Sequence, residues 1–175
     1  YHAGRSEDVR KVLSYIHSIY PQSSLLGLGF SLGANIVLKM AGENEKDRLP
    51  GLTHLVAVSP PANLLESVEK KMQKNPIFDR YFVFSLKNEM KRRHNRFPEL
   101  PKIQLPEKMS IIDFDEHYLS PMEGFSGAID YYLKSSSEPK LPNIEVKTLI
   151  VHADDDPCID GGYLERFKPK KNVDV

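Results

Sequence analysis

Apolar residues recur at helical spacing at Val9, Val12, Leu13, Ile16, Ile19 and Tyr20. With Ser6 as N-cap and Glu7 and Asp8 in the first turn, they predict a helix over residues 6 to 20 that lies on a core. Pro21 stops it, and the run Leu25, Leu26, Gly27, Leu28, Gly29, Phe30 reads as a short buried strand. Leu32, Ile36, Val37 and Met40 then repeat helically as far as Gly42, so a helix over 32–42 starts directly from the strand, before a polar stretch from Glu43 to Arg48. Two further strand-length runs follow, Leu52 to Val58 before Ser59 and two prolines, and Val146 to Ala153 before three aspartates and Pro157. Apolar runs alternating with helices predict an α/β fold with a parallel sheet covered on both faces. Residues 62–137 show no strand pattern but three helical stretches, Leu64 to Lys74, Phe78 to Phe97 and Gly124 to Ser135. This insertion reads as a helical cap over the sheet edge. The expected division is a core of residues 1–60 and 138–175 with a cap insertion of residues 61–137.

Composition narrows the partners. The chain has 175 residues, 40% of them apolar, which suits one globular unit. Its 24 basic residues balance 24 acidic ones with no basic half, which argues against nucleic acid as a partner. Cys158 is the single cysteine, so neither an internal disulfide nor a thiolate metal cage can form within the chain, and a reducing, intracellular compartment is the expectation. The chain opens on Tyr1 without a leader pattern, and no apolar run approaches the roughly 18 residues of a membrane span. The start without Met suggests part of a longer protein.

Gly29-Phe30-Ser31-Leu32-Gly33 stands at the junction of the first strand and its helix, the G-x-S-x-G pattern of a nucleophile elbow. A strand that turns at once into a helix forces the serine into a cramped backbone, and the flanking glycines remove side chains that would clash. The N–H of Leu32, at a helix N-terminus, then supplies half of an oxyanion hole for an acyl-transfer intermediate. The bland alternative is an ordinary glycine-rich turn. A serine nucleophile needs a base and an acid that orients it. In His152-Ala153-Asp154-Asp155-Asp156-Pro157, carboxylates leave the carboxyl edge of the sheet, where ligand sites gather in open α/β sheets. Asp156 is the first choice for the acid and Asp155 the second, against the reading of a solvated turn before a helix near Gly162. Three successive carboxylates converge poorly on one ion, so no metal and no cofactor is expected.

The chain's six histidines are His2, His17, His54, His94, His117 and His152, and none follows Asp156. His17 and His54 read as structural, and His152 as a packing residue or a hydrogen-bond partner behind the site. His94 and His117 belong to the cap, an unusual source for a general base. The base is therefore expected beyond Val175.

These segments resemble the YheT-like branch of the α/β-hydrolase superfamily, which includes the ABHD lipases and the fungal medium-chain ethyl ester synthase/esterases. The resemblance rests on Tyr1-His2-Ala3-Gly4-Arg5 with Asp8, on Gly29 to Asn35, and on Phe114-Asp115-Glu116 with Ser120-Pro121, Gly124-Phe125 and Asp130-Tyr131-Tyr132. Thr148-Leu149-Ile150-Val151 and Asp155-Asp156-Pro157 complete it. It implies an α/β-hydrolase fold fragment with central parallel strands, flanking helices and a helical cap. It further implies a serine carboxylic ester hydrolase acting on acylglycerols or other acyl esters, with Ser31 as nucleophile and Asp156 orienting the histidine. Alcohol O-acyl transfer would share the acyl-enzyme, although no histidine here opens the H-x-x-x-x-D motif that some relatives carry. By the same comparison the early strands and the last strand are missing, and the strands present are sheet neighbours with unpaired edges, so the piece alone should be inactive.

Two other readings compete. One is a non-catalytic module of the same fold that holds a lipid or a partner. The other takes Lys87, Lys91, Arg92, Arg93 and Arg96 as a patch for a membrane or lipid surface, or for a protein partner, rather than as a solvated helix face. Phe78, Tyr81, Phe82 and Phe84 likewise suit an acyl tunnel or plain cap core. Association with a membrane or lipid droplet is left open beside the cytoplasm.

Overall fold

The computed structural model describes residues 2–43, 49–168 and 171–175. Four parallel strands, β1 (Leu25–Phe30), β2 (Leu52–Val58), β3 (Lys147–Val151) and β4 (Val173–Asp174), form one sheet in the order β1-β2-β3-β4. The two-residue β4 escaped sequence reading because it is too short to show a period. Helix α1 (Ser6–Ile19) packs on α2 (Leu32–Glu43), which lies along the sheet. Ser6 is the first helical residue rather than the cap: Arg5 holds the cap position, and buried Ser6 donates its hydroxyl to Glu43 Oε2 at 2.5 Å. Of the apolar face read in α1, Val9 and Leu13 join the core, while Val12, Ile19 and Tyr20 lie exposed.

The sheet is covered on one face only among the described residues. Leu55, Ala57, Thr148 and Ile150 are buried beneath the helices, and Ala34 and Leu38 of α2 pack there with Tyr163 of α8 (Gly162–Arg166). On the alternate positions, Leu26, Leu28 and Phe30 of β1 and Leu149 and Val151 of β3 are between 44% and 62% exposed. The expectation of cover on both faces fails for a topological reason. The strands are added in one direction, and right-handed crossovers that all step the same way place their helices on the same face. Only strands added in the opposite direction would bring helices to the other face.

Between β2 and β3 the chain forms the helices expected of the insertion, with different bounds. Helix α3 (Leu64–Ser67), capped by the Asn63 side chain, runs into a π-helical turn (Val68–Met72), and α4 (Pro76–Arg96) follows. A Ser110 capping box opens α5 (Ile111–Phe114), which passes through a second π-helical turn (Asp115–Leu119) into α6 (Ser120–Glu123). Helix α7 (Ala128–Ser135) and a 3-10 turn (Glu138–Asn143) lead back to β3. Sequence periodicity missed the helical stretch over 111–123 because its pieces of four and five residues are shorter than a readable period. Leu64, Val68, Ala128, Tyr131 and Tyr132 form the second core, joined by Ala3 from the start of the chain.

Candidate functional site

The carboxyl ends of three strands are level: Phe30 pairs with Val58, and Val58 with Val151. The residues that follow, Ser31, Ser59 and His152, therefore open at one edge of the sheet. Ser31 has φ +49°, the left-handed region that a side chain occupies at a cost, and it is exposed at the point where β1 ends and α2 begins. The strained turn is pinned from both sides. Ser31 N–H donates to Val58 O at 2.9 Å, and Ser31 O accepts from the N–H groups of Ala34 and Asn35 at 3.0 and 3.2 Å. The expectation that both glycines of the motif remove a clash holds for Gly29 and fails for Gly33. A Cβ on Gly29 would lie 2.6 to 2.7 Å from backbone atoms of Gly33 and Ala34, so the strand and helix approach too closely for any side chain. A Cβ on Gly33 would meet nothing within 4 Å. Leu32 opens α2, so its N–H has no acceptor within the helix.

Asp156 lies five residues beyond the end of β3, in a loop leaving that same edge. At about 4.8 Å per strand, β1 and β3 are separated by roughly 10 Å with β2 between them. No hydrogen bond joins Ser31 to Asp155 or Asp156 among the described residues. The half-buried Asp156 turns its Oδ1 inward to accept from Cys158 N at 2.8 Å and Ile159 N at 3.0 Å. Asp154 and Asp155 are exposed. The loop is also gripped from the root of the cap. Lys71 Nζ donates to Asp156 O at 3.1 Å, Lys70 Nζ reaches Asp160 Oδ2 at 3.5 Å, and Asp160 N donates to Ser67 Oγ at 3.4 Å. The π-helical turn over 68–72 places both lysines against the loop, and such turns are frequent at functional sites. These contacts had no sequence signal, since each spans about 85 residues or more of chain.

Among the described residues no histidine hydrogen-bonds to Ser31 or Asp156. His2 stands edge-on to Phe125, with its pKa lowered by burial, and His17 packs against Gly51. His54 is exposed beside Thr53 Oγ1, His117 is exposed, and His94 spans the carbonyls of Met90 and Pro101. His152, at the site edge, has a buried Nδ1 without a partner among the described residues and packs against Tyr163 and Gly161. Nor do three His, Cys, Asp or Glu side chains among the described residues converge to hold a metal ion.

Asn35, part of the resemblance, is a position to which sequence reasoning gave no role. Fully buried in the first turn of α2, it donates to Ala3 O at 3.3 Å and Ser135 O at 2.9 Å and accepts from Ser137 N at 2.9 Å. Tyr131 Oη accepts from Ala3 N at 3.2 Å, so the segment at 2–5, the elbow helix and the Tyr131-Tyr132 pair meet around one amide. Glu123 closes the same region, accepting from Arg5 at 2.7 Å and Arg93 at 3.2 Å; burial pushes its carboxyl up, but these cations hold it below the usual range. Nearby, burial raises the pKa of Asp115 to about 7, against the opposing pull of the Tyr132 hydroxyl that donates to it at 2.6 Å.

A strained, exposed serine between a strand and a helix of a parallel sheet, with a carboxylate loop at the same edge, is the framework of an α/β hydrolase. The family model for the alpha/beta hydrolase fold matches residues 1–173, and the chain belongs to that family. Within it the chain is YheT/ABHD-like. It is 32% identical to a putative esterase YheT of Escherichia coli over 91% of this chain and 48% of the relative. It is 28% identical to a monoacylglycerol lipase of Saccharomyces cerevisiae over 98% of this chain and 40% of the relative. With phospholipase ABHD3 of Homo sapiens the identity is 27% over 100% of this chain and 43% of the relative. The chain thus spans less than half the length of these relatives. No solved structure matches it.

Proposed function

We propose that this chain carries the nucleophile and acid of a serine carboxylic ester hydrolase for acylglycerols or related acyl esters. Ser31 Oγ attacks the ester carbonyl and gives its proton to a histidine supplied from outside residues 1–175; Asp156 orients that histidine. The Leu32 N–H donates to the oxyanion. Collapse of the tetrahedral intermediate breaks the ester C–O bond, and the histidine returns the proton to the leaving alcohol. Attack by water on the acyl-enzyme releases the fatty acid, and attack by an alcohol would give an exchanged ester through the same intermediate. The relatives named as esterase, monoacylglycerol lipase and phospholipase support an acyl-ester substrate.

The observation that carries this reading is the left-handed, exposed Ser31 held by Val58 O at the strand-to-helix junction. The test is fluorophosphonate labelling and nitrophenyl-ester turnover by the protein in its natural full-length form. Both should vanish in Ser31→Ala and be strongly reduced in Asp156→Ala. A wild-type protein that takes no label would instead favour a non-catalytic lipid-binding module, and label retained by Ser31→Ala would place the nucleophile elsewhere. Residues 1–175 alone should show no turnover.

A further inference from the structure

We propose that α4 is a docking helix for an anionic phospholipid surface, entering it by its N-terminal, site-proximal end. The proposal deepens the reading of Ser31 as an acyl-ester nucleophile and rests on it for its purpose. Ile77, Tyr81 and Phe84 fall at spacings of four and three on one face of the helix and are 79%, 63% and 65% exposed. The opposite face of the same turns carries buried Val83 and half-buried Phe78 and Phe82. The first half of α4 is therefore apolar on both sides, which in water calls for apolar cover on the outer side as well. An acyl tunnel within the cap is not what Tyr81 and Phe84 line, since both face outward.

The charges say what kind of cover. Along the outer face the next turns present Lys91 and Arg92, both exposed, and Arg80 flanks the apolar end. The other cations of the helix are engaged inward or locally. Lys87 Nζ donates to the carbonyls of Pro106 at 2.8 Å and Glu107 at 2.9 Å, Arg93 pairs with Glu123 at 3.2 Å, and Arg96 lies over the Phe97 ring. Of the acids on α4, Asp79 accepts from Ile111 N at 2.9 Å and Glu89 sits 3.6 Å from Arg92. The outward surplus is positive, beside an aliphatic and two aromatic side chains, the combination that lies in the interface of an anionic bilayer. The polarity of the helix matters too. Ile77 follows Lys71, which holds the Asp156 loop, by six residues, a reach of at most about 20 Å. Insertion of this end would bring the lipid surface to the side of the site.

Co-sedimentation of the full-length protein with vesicles of phosphatidylcholine, alone or mixed with phosphatidylserine, tests this. Binding should be stronger to the mixed vesicles. The Ile77→Ser, Tyr81→Ser, Phe84→Ser triple variant should bind either vesicle about tenfold more weakly or worse. Lys91→Gln with Arg92→Gln should lose about tenfold or more on the mixed vesicles only. Both variants should keep fluorophosphonate labelling of Ser31 and turnover of a soluble ester, which shows that the fold and site are intact. Wild-type protein that ignores vesicles, or a triple variant that binds as wild type, overturns the proposal. So does a triple variant that instead dissolves a dimer or a protein complex in the absence of lipid. Absence of labelling in the wild type would sink the hydrolase reading while leaving the vesicle result to stand by itself.

Discussion

The serine turn and the acid loop leave the same edge of the sheet, yet they are held by different forces. Ser31 is fixed by the sheet core: a neighbouring strand carbonyl, the first turn of α2, and backbone packing at Gly29 closer than any side chain allows. Asp156 is fixed by polar contacts, two of its own loop amides and a lysine from the root of the cap. Packing in a close-packed interior is stiff, whereas a half-buried lysine contact contributes about 1 kcal/mol and can exchange with water. The nucleophile therefore belongs mechanically to the sheet, and the acid belongs in part to the cap. A displacement of the cap root at 68–72 would reach the acid loop directly through Lys71.

The largest effect that would break this contrast is Gly29→Ala. It should cost about 3 kcal/mol or more, or prevent folding, because the colliding atoms are backbone and cannot rotate away. Chemical denaturation measures it, and a near-neutral result would show the serine turn to be less rigid than its packing implies. A pH scan comes next, because a titration in the cap could be mistaken for loosening of the acid loop. Asp115 is buried and its pKa is raised to about 7, so its protonated form favours the fold. The stability it contributes is full below about pH 4 and is lost as pH rises to about 7. Unfolding should therefore become easier by about 2–3 kcal/mol between pH 5 and pH 8, and Asp115→Asn should remove that slope. Smaller again, Lys71→Met should raise amide exchange at Cys158 and Ile159 by about fivefold and leave Ala34 and Asn35 unchanged. Equal changes at both places would erase the distinction. The smallest effect belongs to Gly33→Ala, which should shift stability by no more than about 1 kcal/mol and toward greater stability, since the new methyl meets open space in a helix that prefers alanine.

The parallel strands β1 to β3, the helices α1, α2 and α4, and the elbow were legible because each is a local pattern: an apolar run, a 3.6-residue period, or five residues of fixed spacing. The basic stretch of α4 was legible as charge and as a candidate surface, but not which of its cations face outward. Lys87 and Arg93 have partners 19 and more residues away in the chain, and the exposed aromatic face emerged only once α4 was seated. The three-way bonding of Asn35 was invisible for the same reason, since its partners lie 32 to 102 residues distant.

The sequence by itself determined the class of fold and the location of the strained serine, because backbone sterics and hydrophobic period act over neighbouring residues. Tertiary structure alone decided which face of the sheet is covered, which of the aspartates is held, and which cations of the cap remain outward. Those outcomes depend on crossover handedness and on hydrogen bonds between segments far apart in the chain, and neither is written in any local stretch of residues.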